Sequence, residues 1–165
     1  MMITLTGFMG SGKTTVGKVL ADFLGCPFMD LDDLVVKKAG KSIPDIFAQD
    51  GEAAFRQQEA RILRQTVEKY AESTVVLALG GGAITTPASA ALLHEKTVCI
   101  YLRAALDTLL ARLDGETAGR PLADAAFAAR LAARAPIYEE TAHVIIDTDG
   151  LTPDEVADEI IISAL

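Results

Sequence analysis

Gly7-Phe8-Met9-Gly10-Ser11-Gly12-Lys13-Thr14 satisfies the phosphate-binding loop pattern G-x-x-x-x-G-K-[ST] at every required position. The apolar run Met2-Ile3-Thr4-Leu5-Thr6 before it reads as a buried strand, and a helical pattern begins directly after it. Strand, glycine-rich loop and helix in that order gather backbone N–H groups at the positive end of a helix dipole, where phosphate oxygens bind. Gly10, Ser11, Gly12, Lys13, Thr14 and Thr15 are the expected phosphate cradle. Lys13 would reach the outer phosphates, and the Thr14 hydroxyl would ligate Mg²⁺.

Outward from the loop, strand and helix patterns alternate. Val16, Val19, Leu20, Phe23 and Leu24 mark one helix face, stopped by Gly25 and Pro27. Phe28-Met29 starts a short strand that runs into the acidic cluster Asp30-Leu31-Asp32-Asp33. Leu34 to Lys38 reads as a short helix ended by Gly40, and Ser42 with Asp45 opens another through Ile46 and Phe47. Asp50 is the expected cap of a longer helix over Glu52 to Ala71, which carries Phe55, Arg56 and Glu59. Thr74 to Leu79 is a continuous apolar run, as a central parallel strand requires, and it ends in Gly80-Gly81-Gly82. Thr86, as a cap, and Pro87 begin a helix to about His94, and Val98 to Leu102 is the fourth strand. After the helix face Leu106, Leu109, Leu110, Leu113, periodicity stops over 114–121, which reads as a mobile lid. A helix over about Ala125 to Ala135, a fifth strand at Val144-Ile145-Ile146 and a final helix capped by Thr152 and Glu155 complete the chain. No partner is apparent for His94 or His143. The pattern predicts a three-layer α/β fold: a five-stranded parallel sheet flanked by helices, with its ligands at the C-terminal edge of the strands.

The 165 residues suit one domain, 1–165, with a full core. Half are apolar but only 5% aromatic, so Ala, Leu, Val and Ile must fill that core. A net charge of −8 argues against nucleic-acid or acidic-membrane partners, which need a basic face. Cys26 and Cys99 match no metal spacing and are expected as reduced core thiols in the cytoplasm. No charged n-region and no apolar run of 18 residues is present, so neither export nor a membrane span is expected.

A phosphate loop leaves open a small-molecule kinase, a GTPase-type switch, or an ATP-driven or binding module. No guanine-reading N-K-x-D occurs, and the central strand closes in glycines rather than in the acidic residue of a mechanical ATPase. The remaining polar residues suit a kinase whose acceptor pocket holds Asp30, Asp32, Arg56, Gly80 to Gly82 and Arg134, with Arg120 on a lid.

Over essentially its full length the chain resembles the shikimate kinase family. The resemblance is carried by the phosphate loop, Met29-Asp30-Leu31-Asp32, Asp50-Gly51-Glu52-Ala53-Ala54-Phe55-Arg56, Gly80-Gly81-Gly82-Ala83, Gly119-Arg120-Pro121-Leu122 and Arg134-Ala135-Pro136-Ile137-Tyr138. It implies the fold of the nucleoside monophosphate kinases, with an acceptor-binding part at about 31–62 and a lid at about 114–123. It also implies transfer of the γ-phosphoryl of ATP to the 3-hydroxyl of shikimate, in aromatic amino-acid biosynthesis. Arg56 and Arg134 match the family's carboxylate-binding arginines, a task suited to bidentate guanidinium forks. Gly80, Gly81 and Gly82 would line the acceptor, and Asp32 would hold its reacting hydroxyls as base or orienting group. Asp30 matches the metal-side aspartate, and Lys13 and Arg120 would neutralise charge in transfer. Arg112 and Pro153 would lie on the adenine side with Arg120. There the chain departs from the family's usual basic or amide residues, having Asp149-Gly150-Leu151-Thr152, so backbone contacts are expected to hold the base. A monomer is expected. A kinase of a gluconate-like acceptor and a non-catalytic nucleotide-binding module stay open as alternatives.

Overall fold

The computed structural model describes residues 1–117 and 121–165, with side chains described outside 114–124. Five strands form one parallel sheet: β1 Met2–Thr6, β2 Phe28–Asp30, β3 Val75–Ala78, β4 Val98–Arg103 and β5 Val144–Asp147, in the spatial order β2-β3-β1-β4-β5. β1 lies in the middle, Ile3 aligned with Val76 on one side and with Val98 on the other. Among the described residues eight α-helices connect and cover the strands: α1 Lys13–Leu24, α2 Leu31–Ala39, α3 Ile43–Asp50, α4 Glu52–Lys69, α5 Pro87–Lys96, α6 Leu106–Thr117, α7 Pro121–Thr141 and α8 Pro153–Ala164.

The period-2 alternation of strand side chains divides the core into two layers. On one face Ile3, Leu5, Val76, Ile100 and Leu102 pack against Val16 and Leu20 of α1 and Val156 and Ile160 of α8. On the other, Leu77 and Tyr101 meet Leu31, Ile46, Phe55, Leu63, Leu93 and Tyr138 from α2, α3, α4, α5 and α7. Ile3 and Leu5 have no solvent exposure, and such burial contributes about 1.5–3 kcal/mol for each side chain. The expected three-layer architecture is present.

The element boundaries bring corrections. α2 begins at Leu31 rather than Leu34, because the Asp30 carboxylate accepts from the Asp32 backbone N–H (2.9 Å) and starts the helix three residues early. Asp50 is not the cap of α4. It ends α3 and pairs with Lys41 at 2.6 Å, while Gly51 (φ 88°) forms the junction without a side-chain cap. Thr86 precedes α5 but accepts no hydrogen bond through its side chain; its carbonyl takes the N–H groups of Ser89 and Ala90. The loop expected over 114–121 is helical as far as Thr117. α7 starts at Pro121 rather than Ala125 and continues through Pro136 to Thr141 instead of stopping at Ala135. His94 and His143, for which the sequence shows no partner, stack on each other at 4.6 Å, and the Cys99 N–H donates to Nδ1 of His143.

Chain direction positions the site. From β1 the chain moves through α1 to the outer strand β2, whereas from β3 it crosses β1 through α5 to reach β4. The loops after β1 and β3 therefore part in opposite directions and leave a crevice at the carboxyl ends of the strands. The phosphate loop and the triple glycine stand on its two sides.

Candidate active site

A cleft of about 730 Å³ opens at this edge, lined by Lys13, Thr14 and Thr15, by Asp30 and Asp32, by Phe47, Phe55, Arg56 and Glu59, by Gly80, Gly81 and Gly82, and by Arg130 and Arg134. The structure thus brings together every acceptor-side residue expected from the sequence. Arg120 lies outside the described residues.

The loop owes its shape to two glycines. Gly12 adopts φ 92° at the N-terminus of α1, and a Cβ on Gly7 would stand 2.6 Å from the Leu102 carbonyl oxygen. Lys13 folds back over the loop, donating from Nζ to the carbonyls of Gly7 (2.7 Å) and Phe8 (3.1 Å). Burial pushes its pKa down to about 8, against the pull of Asp32 and Asp30. Thr14 donates to Asp30 Oδ2 at 3.2 Å, so the carboxylate that caps α2 with one oxygen faces the phosphate loop with the other. Two hard oxygen donors side by side at a phosphate site fit Mg²⁺, which takes few protein ligands and completes its shell with waters and phosphate oxygens.

The acceptor side is a network of opposed charges. Arg56 donates to Oε1 of Glu59 at 2.9 Å, one turn along α4, and its guanidinium lies 5.1 Å from the Phe55 ring centre. Glu59 is 1% exposed, and its Oε2 has no hydrogen-bond partner among the described residues. A Cβ on Gly80 would lie 2.8 Å from Asp32 Oδ1 and 3.2 Å from that Oε2, so both carboxylates converge on the first glycine. Burial raises the Asp32 pKa, with Asp30 adding to it and Lys13 opposing. Burial likewise raises that of Glu59, against Arg56. Two carboxyls held above their ordinary range beside two guanidinium groups can accept hydrogen bonds or a proton from a hydroxylated, negatively charged molecule. Arg134 reaches in from α7, its guanidinium 5.8 Å from the Phe8 ring.

Behind the phosphate loop a second hollow of about 350 Å³ is lined by Gly10, Ser11, Gly12, Thr15, Arg112, Thr148, Leu151 and Pro153. Arg112 donates to the carbonyls of Gly10 and Thr148 and to the Thr148 hydroxyl. Arg112 and Pro153, expected on the adenine side, thus line this hollow together beside the loop. Asp149 has a part that sequence reasoning missed: its carboxylate accepts from the Ala105 N–H and from the Thr108 hydroxyl, so the loop after β5 caps the start of α6. Glu59 was legible both as a residue of the pocket wall and as part of the α4 helix face, and Tyr138 only as part of a motif. Arg130 carried no motif signal yet lines the cleft.

The family model described as shikimate kinase matches residues 9–164. The chain is similar to the shikimate kinase of Enterococcus faecalis, 41% identical over 164 residues covering 96% of this chain and 95% of that one. In structure it is similar to the shikimate kinase from Acinetobacter baumannii solved in complex with shikimate: TM-score 0.88, 35% identity, 97% of this chain and 90% of that chain covered. A gluconokinase from Sinorhizobium meliloti superposes with a TM-score of 0.60 at 19% identity, a likeness of fold alone.

Proposed function

We infer the reaction from the premise that this chain belongs to the shikimate kinase family: it transfers the γ-phosphoryl group of ATP to the 3-hydroxyl of shikimate, giving shikimate 3-phosphate and ADP. The observation that carries this reading is the pairing, in one cleft, of a phosphate loop with two guanidinium groups and a raised carboxyl. Arg56 and Arg134 bind the acceptor's carboxylate, since a guanidinium offers two parallel donors to a planar anion. Gly80, Gly81 and Gly82 let the acceptor approach the backbone. Asp32 accepts from the hydroxyl that attacks, orienting it and receiving its proton.

Gly10, Ser11, Gly12, Lys13, Thr14 and Thr15 hold the phosphates of ATP, and Arg112 and Pro153 flank the adenine. Thr14 and Asp30 would hold Mg²⁺, which supplies charge neutralisation at the phosphates when bound. Lys13 must leave the carbonyls of Gly7 and Phe8 to meet the transferring phosphoryl group, where its charge counts most. Residues of about 31–62 form the acceptor-binding part, and about 114–123 a lid that delivers Arg120; this rests on the sequence motif. A monomer is the proposed working unit, and the two free cysteines suit the cytoplasm. No helix among the described residues is long and apolar enough to cross a membrane.

The test is acceptor-dependent ADP release with shikimate, gluconate and nucleoside monophosphates side by side. Turnover is expected with shikimate alone. Turnover with gluconate instead would reassign the acceptor, and ATP binding without acceptor-stimulated release would leave a binding module.

A further inference from the structure

Tyr138 lies on the face of α7 opposite no solvent at all: its side chain is fully buried, its ring stacked on Tyr101 of β4 at 4.9 Å. Such a residue reads as core, yet its hydroxyl donates to the carbonyl of Gly81, the middle of the three glycines after β3. Four residues earlier on the same helix face, Arg134 stands within hydrogen-bonding reach of the same hydroxyl. A Cβ on Gly81 would meet Arg134 Nη1 at 3.5 Å, the Gly7 carbonyl oxygen at 3.6 Å and the Tyr138 hydroxyl at 3.6 Å. One buried oxygen thus touches the glycine turn and the α7 arginine, both on the acceptor side of the cleft.

The carbonyl and N–H of a trans peptide point in opposite directions. Holding the Gly81 carbonyl toward α7 therefore turns the Gly82 N–H away from α7, and that N–H has no partner among the described residues. Between two glycines no side chain resists rotation of the peptide plane, so its orientation depends on what grips it. Burial drives the Tyr138 pKa up to about 12, so the hydroxyl keeps its proton throughout the working range.

We propose that Tyr138 is a positioning residue for the acceptor: its hydroxyl fixes the Gly81–Gly82 peptide plane and steadies Arg134, setting one N–H and one guanidinium for the acceptor's carboxylate. This rests on the acceptor reading given above.

Tyr138→Phe keeps the ring and its stacking and removes one oxygen. The KM for shikimate is expected to rise about fivefold to tenfold, as loss of one hydrogen bond implies, with kcat within about threefold and the KM for ATP unchanged. Tyr101→Phe, which strips the hydroxyl from the partner ring, should leave all three unchanged. Amide NMR on the ligand-free protein gives an activity-independent reading: in Tyr138→Phe the Gly82 resonance should broaden or exchange faster, while amides of β1 stay as in the wild type. Should the variant not fold, 3-fluorotyrosine labelling of the wild type replaces it: the Tyr138 fluorine signal shifts on shikimate addition, and that of Tyr70 does not. An unchanged KM with an unchanged Gly82 amide, or an unmoved Tyr138 signal, overturns the proposal. A wild type inert toward shikimate would instead remove the acceptor reading, and the amide result would then decide the role of Tyr138 by itself.

Discussion

Gly82→Ala is the sharpest available probe of the acceptor side, because its effect is purely steric. Gly82 has φ −101° and ψ 2°, a conformation open to alanine, so no backbone penalty intrudes. The new methyl would stand 2.3 Å from Arg56 Nη2, 2.6 Å from its Cζ and 2.8 Å from its Nη1. Contact distances near ~3.5 Å require the guanidinium to retreat by about 1 Å. That movement stretches the 2.9 Å bond from Nη1 to Glu59 beyond hydrogen-bonding range. Glu59, already with one unsatisfied oxygen, would become a buried carboxylate without its counter-charge. Breaking a buried pair completely costs about 3–5 kcal/mol; a side chain as long as arginine recovers part of this by swinging elsewhere. For catalysis the displacement itself matters more, since a misplacement of about 1 Å costs on the order of 10²-fold. Coupled ADP release should therefore show about a hundredfold fall in kcat/KM for shikimate, while calorimetric ADP affinity stays within about twofold. A wild-type kcat/KM would refute the placement of Arg56. Parallel loss of ADP affinity would show general disorder instead of a local clash.

Two further outcomes follow from the charges. Because Asp32 holds its proton more tightly folded than unfolded, its contribution to stability falls as pH rises from 3.8 through the raised native value. At neutral pH the ionised carboxylate is thus a net burden, and Asp32→Asn should melt higher, by about 2–4 °C for each kcal/mol relieved, while turnover drops about 10²-fold or more. A lower Tm at pH 7 would contradict this. For Lys13 the sign is reversed: between about 8 and 10.5 the unfolded chain binds the extra proton, so this group favours folding increasingly as pH climbs. The same deprotonation removes a charge from the phosphate cradle, and ADP binding without acceptor should weaken above about pH 8, by at most about tenfold per unit. Constant affinity to pH 10 would show that Lys13 stays charged.

The order of elements and the residues of the cleft were legible because each left a local pattern: the loop, the capping pairs Ser42 with Asp45 and Thr152 with Glu155, and the continuous apolar β3. The failures share a cause, namely a partner distant in sequence or a competitor close by. Asp50 was a fair N-cap by residue type, but Lys41 holds it in α3. The helix expected over about Ala125 to Ala135 instead continues through Pro136 as far as Thr141, past Tyr138 in the core. Asp149 caps a helix that begins 43 positions before it in numbering, from 149 back to Leu106, and no local motif announces that. His94 and His143 meet only because α5 and the entry to β5 are neighbours across the fold.

The central place of β1 has a consequence for how the protein comes into being. As the ribosome releases the chain, β1 emerges with both hydrogen-bonding edges bare. Its partners are Val75 to Ala78 and Val98 to Tyr101, so one edge stays bare for about 70 more residues and the other until about a hundred more have left the exit tunnel. At ordinary synthesis rates that wait lasts roughly 5–20 s. The phosphate loop after β1 thus takes shape only once β3 and β4 have followed it, and a ribosome-bound chain cut short of β4 should hold no ATP.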